Sequence, residues 1–158
     1  MNESLTVKQY FDVLLDKSIC NLNNLYAYMN KNLLKLENRN IEETTFKIFK
    51  SSFDSNALDI LNESIKSNYN FDSDCKFTYH FLERLLTRFL NYDIDILFNQ
   101  VNKLYRKANQ LYNSSKTKSI ISICNDFVKI RYRPYEKVFI TIIKPSKRSY
   151  KRTYIKYY

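Results

Sequence analysis

Three cations alternate with apolar residues after Phe127. Lys129, Arg131 and Arg133 face one way, and Val128, Ile130 and Tyr132 the other. A period of two is the pattern of a half-buried strand. On a strand, alternate Cα atoms stand about 6.5–7 Å apart. That is close to the phosphate spacing along one DNA strand, so such a row can meet successive phosphates. Two-stranded ribbons also enter the major groove. Beyond Pro145, Lys147, Arg148, Lys151 and Arg152 are interleaved with Tyr150, Tyr154 and Tyr157. Cations arranged in this way track a phosphate backbone, while tyrosines stack on unpaired bases. The seven cations are the expected anion contacts and the three tyrosines the expected stacking groups. The competing account is a solvated strand face followed by a solubilising tail.

The charge balance sharpens this expectation. The formal net charge of the 158 residues is +10. From Lys129 to Tyr158 there are ten Lys and Arg against one Glu, whereas the first four-fifths of the chain is nearly neutral. Asymmetry of this kind calls for an acidic partner: DNA or RNA, an acidic protein or an anionic membrane surface. The basic pairs Lys147-Arg148 and Lys151-Arg152 also fit a nuclear-import signal, although a phosphate-binding tail explains them as well. Ser149 and Thr153 each follow a basic pair, and phosphorylation there would lower the tail's charge.

Residues for catalysis are harder to assemble. Glycine is absent and proline occurs twice. Phosphate-cradling loops, dinucleotide fingerprints and nucleophile elbows all depend on glycine at fixed positions, so these motifs are excluded. His80 is the only histidine. Cys75 stands off its helical face and Glu83 on it, and a structural role in an aromatic-rich segment is the expectation. Asp72, Asp74, Asp93 and Asp95 have the residue types of a metal-dependent nuclease. Capping of helix N-termini explains them more simply. Arg84 and Arg88, four apart, add to a basic surface or pair with carboxylates. No cofactor, metal site or catalytic residue is expected, and the chain reads as non-enzymatic.

The elements that would position the basic residues follow from periodicity. Ser4 is placed to cap a helix over about 5–18, with Val7, Tyr10, Phe11, Leu14 and Leu15 inward. Leu22, Leu25, Met29, Leu33 and Leu36 predict a second helix. Asn40 is placed to cap a helix over 41–50, and Asp54 or Ser55 one carrying Leu58, Leu61 and Ile65. Phe77, Phe81, Leu85 and Phe89 recur every four residues and predict a helix over 74–91. Ile94, Leu97, Val101, Leu104, Ala108 and Leu111 predict another over 93–112. The short tie at Asn91-Tyr92 favours an antiparallel helical hairpin. The Leu97, Leu104 and Leu111 stripe also raises the prospect of a homodimer. Residues 120–126 fit a short helix or an extended lead into the sheet. A turn at Pro134-Tyr135-Glu136 separates the first strand from a β-branched run, 138–143. Alternation over 150–158 allows a third strand.

The fold class expected is α+β and predominantly helical: a bundle-like body of five or six helices, then a small antiparallel β-hairpin or meander and a basic tail. The division expected is a helical body over 1–112, a linker over 113–119 and a basic β element and tail over 120–158, packed together as one domain. Hydrophobic residues make up 44% of the chain, enough for a substantial core. The bias towards Asn, Lys, Ile and Tyr fits an AT-rich coding sequence, as in some large DNA viruses and protists. Three widely spaced cysteines, Cys20, Cys75 and Cys124, fit reduced thiols in an intracellular protein of the cytoplasm or nucleus. The first residues lack a signal-peptide apolar block, and no run approaches a membrane span. The function expected is a nucleic-acid-binding or nucleoprotein-associated factor. The alternatives are a helical adaptor whose tail docks on acidic protein, and a peripheral protein on anionic lipid.

Overall fold

The computed structural model describes residues 4–16, 20–115, 119–145 and 153–157. Its order is α1 (Val7–Leu14), α2 (Asn23–Lys31), a 3-10 turn (Leu33–Lys35), α3 (Arg39–Ser52), α4 (Ser55–Asn68), β1 (Lys76–Phe77), α5 (Tyr79–Arg88), α6 (Ile94–Ser115), β2 (Ser119–Cys124), β3 (Lys129–Arg133), β4 (Val138–Ile143) and β5 (Thr153–Tyr157). The fold is α+β, with helices preceding a small sheet built on an antiparallel β2–β3–β4 meander.

Local side chains set the helix boundaries, and several differ from the periodicity. Thr6, not Ser4, caps α1: its hydroxyl accepts from the Gln9 amide while the Gln9 side chain accepts from the Thr6 amide. Ser4 instead donates to Asp93 and Asp95, and backbone bonds from Val7 to Tyr92 and from Ile94 to Leu5 tie this segment to the start of α6. The second helical stripe is cut at Asn32, whose side chain bonds the Tyr28 carbonyl and closes α2. Leu33 and Leu34 are consequently exposed. Asn38, rather than Asn40, caps α3, and Asp54 caps α4. The predicted helix over 74–91 starts late. Lys76 and Phe77 pair with β4 as a strand, and Thr78 caps α5.

The sheet order is β1-β4-β3-β2-β5, parallel only between β1 and β4. Residues 119–124 form a strand, the extended one of the two alternatives; pairing on both sides, with β3 and β5, decides against the helical spacing. The last strand adds beside β2, not beside the preceding β4. The expected linker over 113–119 is shorter, because α6 runs to Ser115 and β2 starts at Ser119. A bulge between Arg131 and Tyr132 shifts the β3–β4 register: Tyr132 faces Phe139, while Arg131 faces Thr141. The extra β4 residue, Ile140, lets both Phe139 and Ile142 turn inward despite their odd separation.

One buried cluster takes residues from the helices and from β1 to β4. Phe77 stacks on Phe139 with ring centres 4.6 Å apart, and Phe71, Phe81, Tyr105 and Tyr132 surround Phe139. Asn62 fastens β1 to α4, accepting from the Phe77 amide at 2.7 Å and donating to its carbonyl at 3.0 Å. The expected helical hairpin is not how α5 and α6 are used. Helix α5 packs mainly on β4, with α3 and α1 beside it, whereas α6 lies against β2 and β3. Leu97 and Leu104 are buried in this core, so the stripe that raised the dimer serves the chain's own sheet.

Candidate nucleic-acid interface

The alternation of β3 separates its side chains as the sequence implies. Val128, Ile130 and Tyr132 are wholly buried, and Lys129, Arg131 and Arg133 occupy the other face. Cross-strand partners extend that outer face: Arg131 lies opposite Ser122 on β2 and Thr141 on β4, and Lys129 opposite Ile143. Arg133 is half-exposed, with Glu136 at 3.8 Å, a loose surface pair. Arg131 is the central cation of the row, and its Nε is buried without a hydrogen-bond partner among the described residues.

Helix α5 brings a second set of cations to Arg131. Thr78 makes this possible through one hydroxyl that both caps the helix, accepting from Phe81, and donates to the Ile140 carbonyl at the bulge. The helix is thereby held along β4. His80, Arg84 and Arg88 recur every four residues and form one stripe facing the sheet's end. With Arg131, Thr141, Ile143 and Lys144 they line a cleft of about 460 Å³, and Glu37 and Glu42 close its α3 side.

The electrostatics of the cleft are organised by two glutamates. Glu42 accepts from Arg88 at 2.5 Å and from Arg84 at 3.5 Å, holding two guanidinium groups whose side chains are only 13% and 17% exposed. Glu83 lies completely buried behind them. One of its oxygens accepts from Thr45 at 3.2 Å; the other sits 3.5 Å from the Arg84 Nε but has no hydrogen-bond partner among the described residues. Burial pushes the Glu83 carboxyl above the usual carboxylate range, against the pull of Arg84, Thr45 and Arg88. His80 rests edge-on against Phe46, with ring centres 5.8 Å apart. Burial first, and then the Arg84 guanidinium, hold its pKa below the ordinary value, so the imidazole is neutral at pH 7. Lys144 stands exposed at the rim, its ammonium 5.5 Å from the Tyr92 ring centre.

The remaining predicted contacts fall elsewhere. Lys147, Arg148, Tyr150, Lys151 and Arg152 lie outside the described residues, and Tyr154 and Tyr157 are placed by the backbone of β5 alone. The four aspartates do not converge. Asp93 caps α6, Asp95 accepts from Tyr69, and Asp72 and Asp74 hold Lys137 in the β3–β4 turn. Tyr105 also donates to Asp72, and this bond, ahead of Lys137, keeps its carboxyl below the usual range. Among the described residues, no group of three or more His, Cys, Asp or Glu is placed to hold a metal ion. No helix among them is long and apolar enough to cross a membrane. Cys20, Cys75 and Cys124 are buried.

The pairing of Arg84 and Arg88 with a carboxylate was expected and is present at Glu42; what the sequence read in parts misses is their meeting, with His80, at Arg131. Their step of four was visible, but the approach of that stripe to Arg131 depends on the parallel β1–β4 pair, which no local pattern announces. Comparison with protein-family models, curated proteins and solved structures finds no match.

Proposed function

We propose that the protein is a non-enzymatic nucleic-acid-binding or nucleoprotein-associated factor that contacts phosphate through the outer face of its sheet and its basic tail. The observation that carries this reading is the meeting of Arg131, the central cation of the β3 row, with Arg84, Arg88 and Lys144 at one cleft. A row on a rigid strand positions its charges without ordering a loop, and the tail cations Lys147, Arg148, Lys151 and Arg152 lengthen the track. The experiment is a salt titration of binding to duplex DNA, single-stranded DNA and RNA from about 50 to 300 mM. Neutralising about five phosphates on duplex gives a slope of log affinity against log salt near −4.5. Glutamine at the four tail cations should flatten it. Substitution is preferable to truncation, because removing β5 would strip a paired strand from β2. Binding that ignores salt would end this reading.

A second reading is a protein-interaction adaptor. It is favoured by Leu33 and Leu34 after α2, where Leu34 is 98% exposed. Aspartate at both positions should abolish a protein complex recovered from cells and leave nucleic-acid affinity untouched. A complex that survives the change would remove these leucines from the interaction.

A further inference from the structure

The outer face of the sheet contains polar groups that the described residues do not satisfy. Arg131 Nε and Ser122 Oγ are both buried, both without hydrogen-bond partners among the described residues, and their residues are direct cross-strand neighbours. Thr141, itself buried, flanks Arg131 on the other side. Unpartnered buried donors are rare in folded proteins, because each has given up water for nothing. Of the two, Arg131 lines the cleft beside α5, and an acceptor arriving there would supply its missing bond.

The cleft states the chemistry of that acceptor. Arg84, Arg88, Arg131 and Lys144 line it against only two carboxylates, Glu37 and Glu42. His80, neutral at pH 7, adds a polar edge without adding charge. Glu42 occupies one side of the Arg84 and Arg88 forks and fixes their orientation, so little side-chain freedom is lost when an anion meets them. Arginine forks suit phosphate oxygens in pairs.

Enclosure then distinguishes one kind of phosphate from another. A phosphodiester within a strand is tethered on two sides and exposes two free oxygens, which suits the open row at Lys129 and Arg133. A phosphomonoester is tethered once, presents three acceptor oxygens and carries a charge approaching −2 at neutral pH. Only the latter has the reach and the oxygens for a recess walled by α5 on one side and β3–β4 on the other.

We propose that the cleft between α5 and β4 receives the terminal phosphomonoester of a nucleic-acid strand, with Arg131 as its central donor. The inference rests on the nucleic-acid reading and narrows it. The strand end enters beside Arg84, Arg88 and Arg131, Lys144 meets the rim, and the following phosphates run along the β3 row.

Fluorescence anisotropy with one oligonucleotide sequence, ended by phosphate or by hydroxyl at the 5′ and at the 3′ terminus, tests this on the full chain. The phosphate-ended form at one terminus should bind about tenfold tighter, equivalent to one factor of ten in Kd. Arg131→Lys keeps the charge and loses the fork, so the ratio between the two forms should fall towards one. Lys144→Gln, at an exposed position, should lower the ratio without threatening the fold. Lys129→Gln should weaken both forms together and leave the ratio intact. A ratio of one in the unsubstituted protein, with salt-dependent binding preserved, overturns the strand-end pocket and leaves the broader reading standing. Absence of binding to every oligonucleotide at about 50 mM salt overturns both. A phosphoserine peptide that outcompetes the phosphate-ended strand would also overturn it, by assigning the cleft to protein.

Discussion

The two faces of the central sheet obey opposite rules. On the inner face every large side chain has partners: Phe139 touches the rings of Phe71, Phe77, Phe81, Tyr105 and Tyr132. On the outer face, Arg131, next to Tyr132 on β3, and its cross-strand neighbour Ser122 on β2 keep buried polar atoms that no described residue partners. Strand parity alone separates a saturated surface from an unsaturated one. Stability is concentrated on the first, and the capacity to bind something else is left on the second.

This contrast is breakable by substitution. The largest effect is expected on the inner face, where Phe139→Ala should cost about 3–5 kcal/mol in urea unfolding. A cost below about 1 kcal/mol would show that this face is not the core. Next, Asn62→Ala removes the side chain that satisfies both the amide and the carbonyl of Phe77. A loss of about 1–3 kcal/mol is expected, measured in the same way. On the outer face Arg131→Gln should change stability by less than about 0.5 kcal/mol. It should also reduce the salt slope of duplex binding by about 0.9, the share of one phosphate contact. A large stability loss with an unchanged slope would make Arg131 a structural residue.

A finer test concerns Glu83. Its pKa is raised by folding, so its stabilising contribution is complete below the unfolded carboxyl value and is lost as pH rises through the folded value. Glu83→Gln has no such titration. Between about pH 4 and pH 7 it should therefore lose less stability than the parent chain. Urea midpoints at the two pH values decide the matter, and parallel changes in both proteins would place the pH dependence elsewhere.

The outer row was legible in the sequence because alternation is a local property: Val128 to Arg133 carry their own register. The stripes of α4 and α6 were legible for the same reason. Boundaries were less so. Thr6 displaced Ser4 as the cap because Ser4 is held by aspartates about ninety positions away, and the Asn32 side chain ended a helix that its leucines alone would have continued. The cleft was the least legible part. His80, Arg84 and Arg88 become partners of Arg131 only through a parallel strand pair and a hydroxyl bond from Thr78 to the bulge, both spanning more than sixty positions. Long-range pairing leaves no periodic signature in either segment.

That same strand pair bears on how the chain is made. Lys76 and Phe77 wait for Val138 and Phe139 as partners, so the aromatic surface of Phe77 and Phe81 stays uncovered while the intervening helices leave the ribosome. Non-local closures of this sort form late and slow folding. During synthesis this protein passes through a long interval with its helices begun and its core open, and it is then that chaperones would have the most surface to hold.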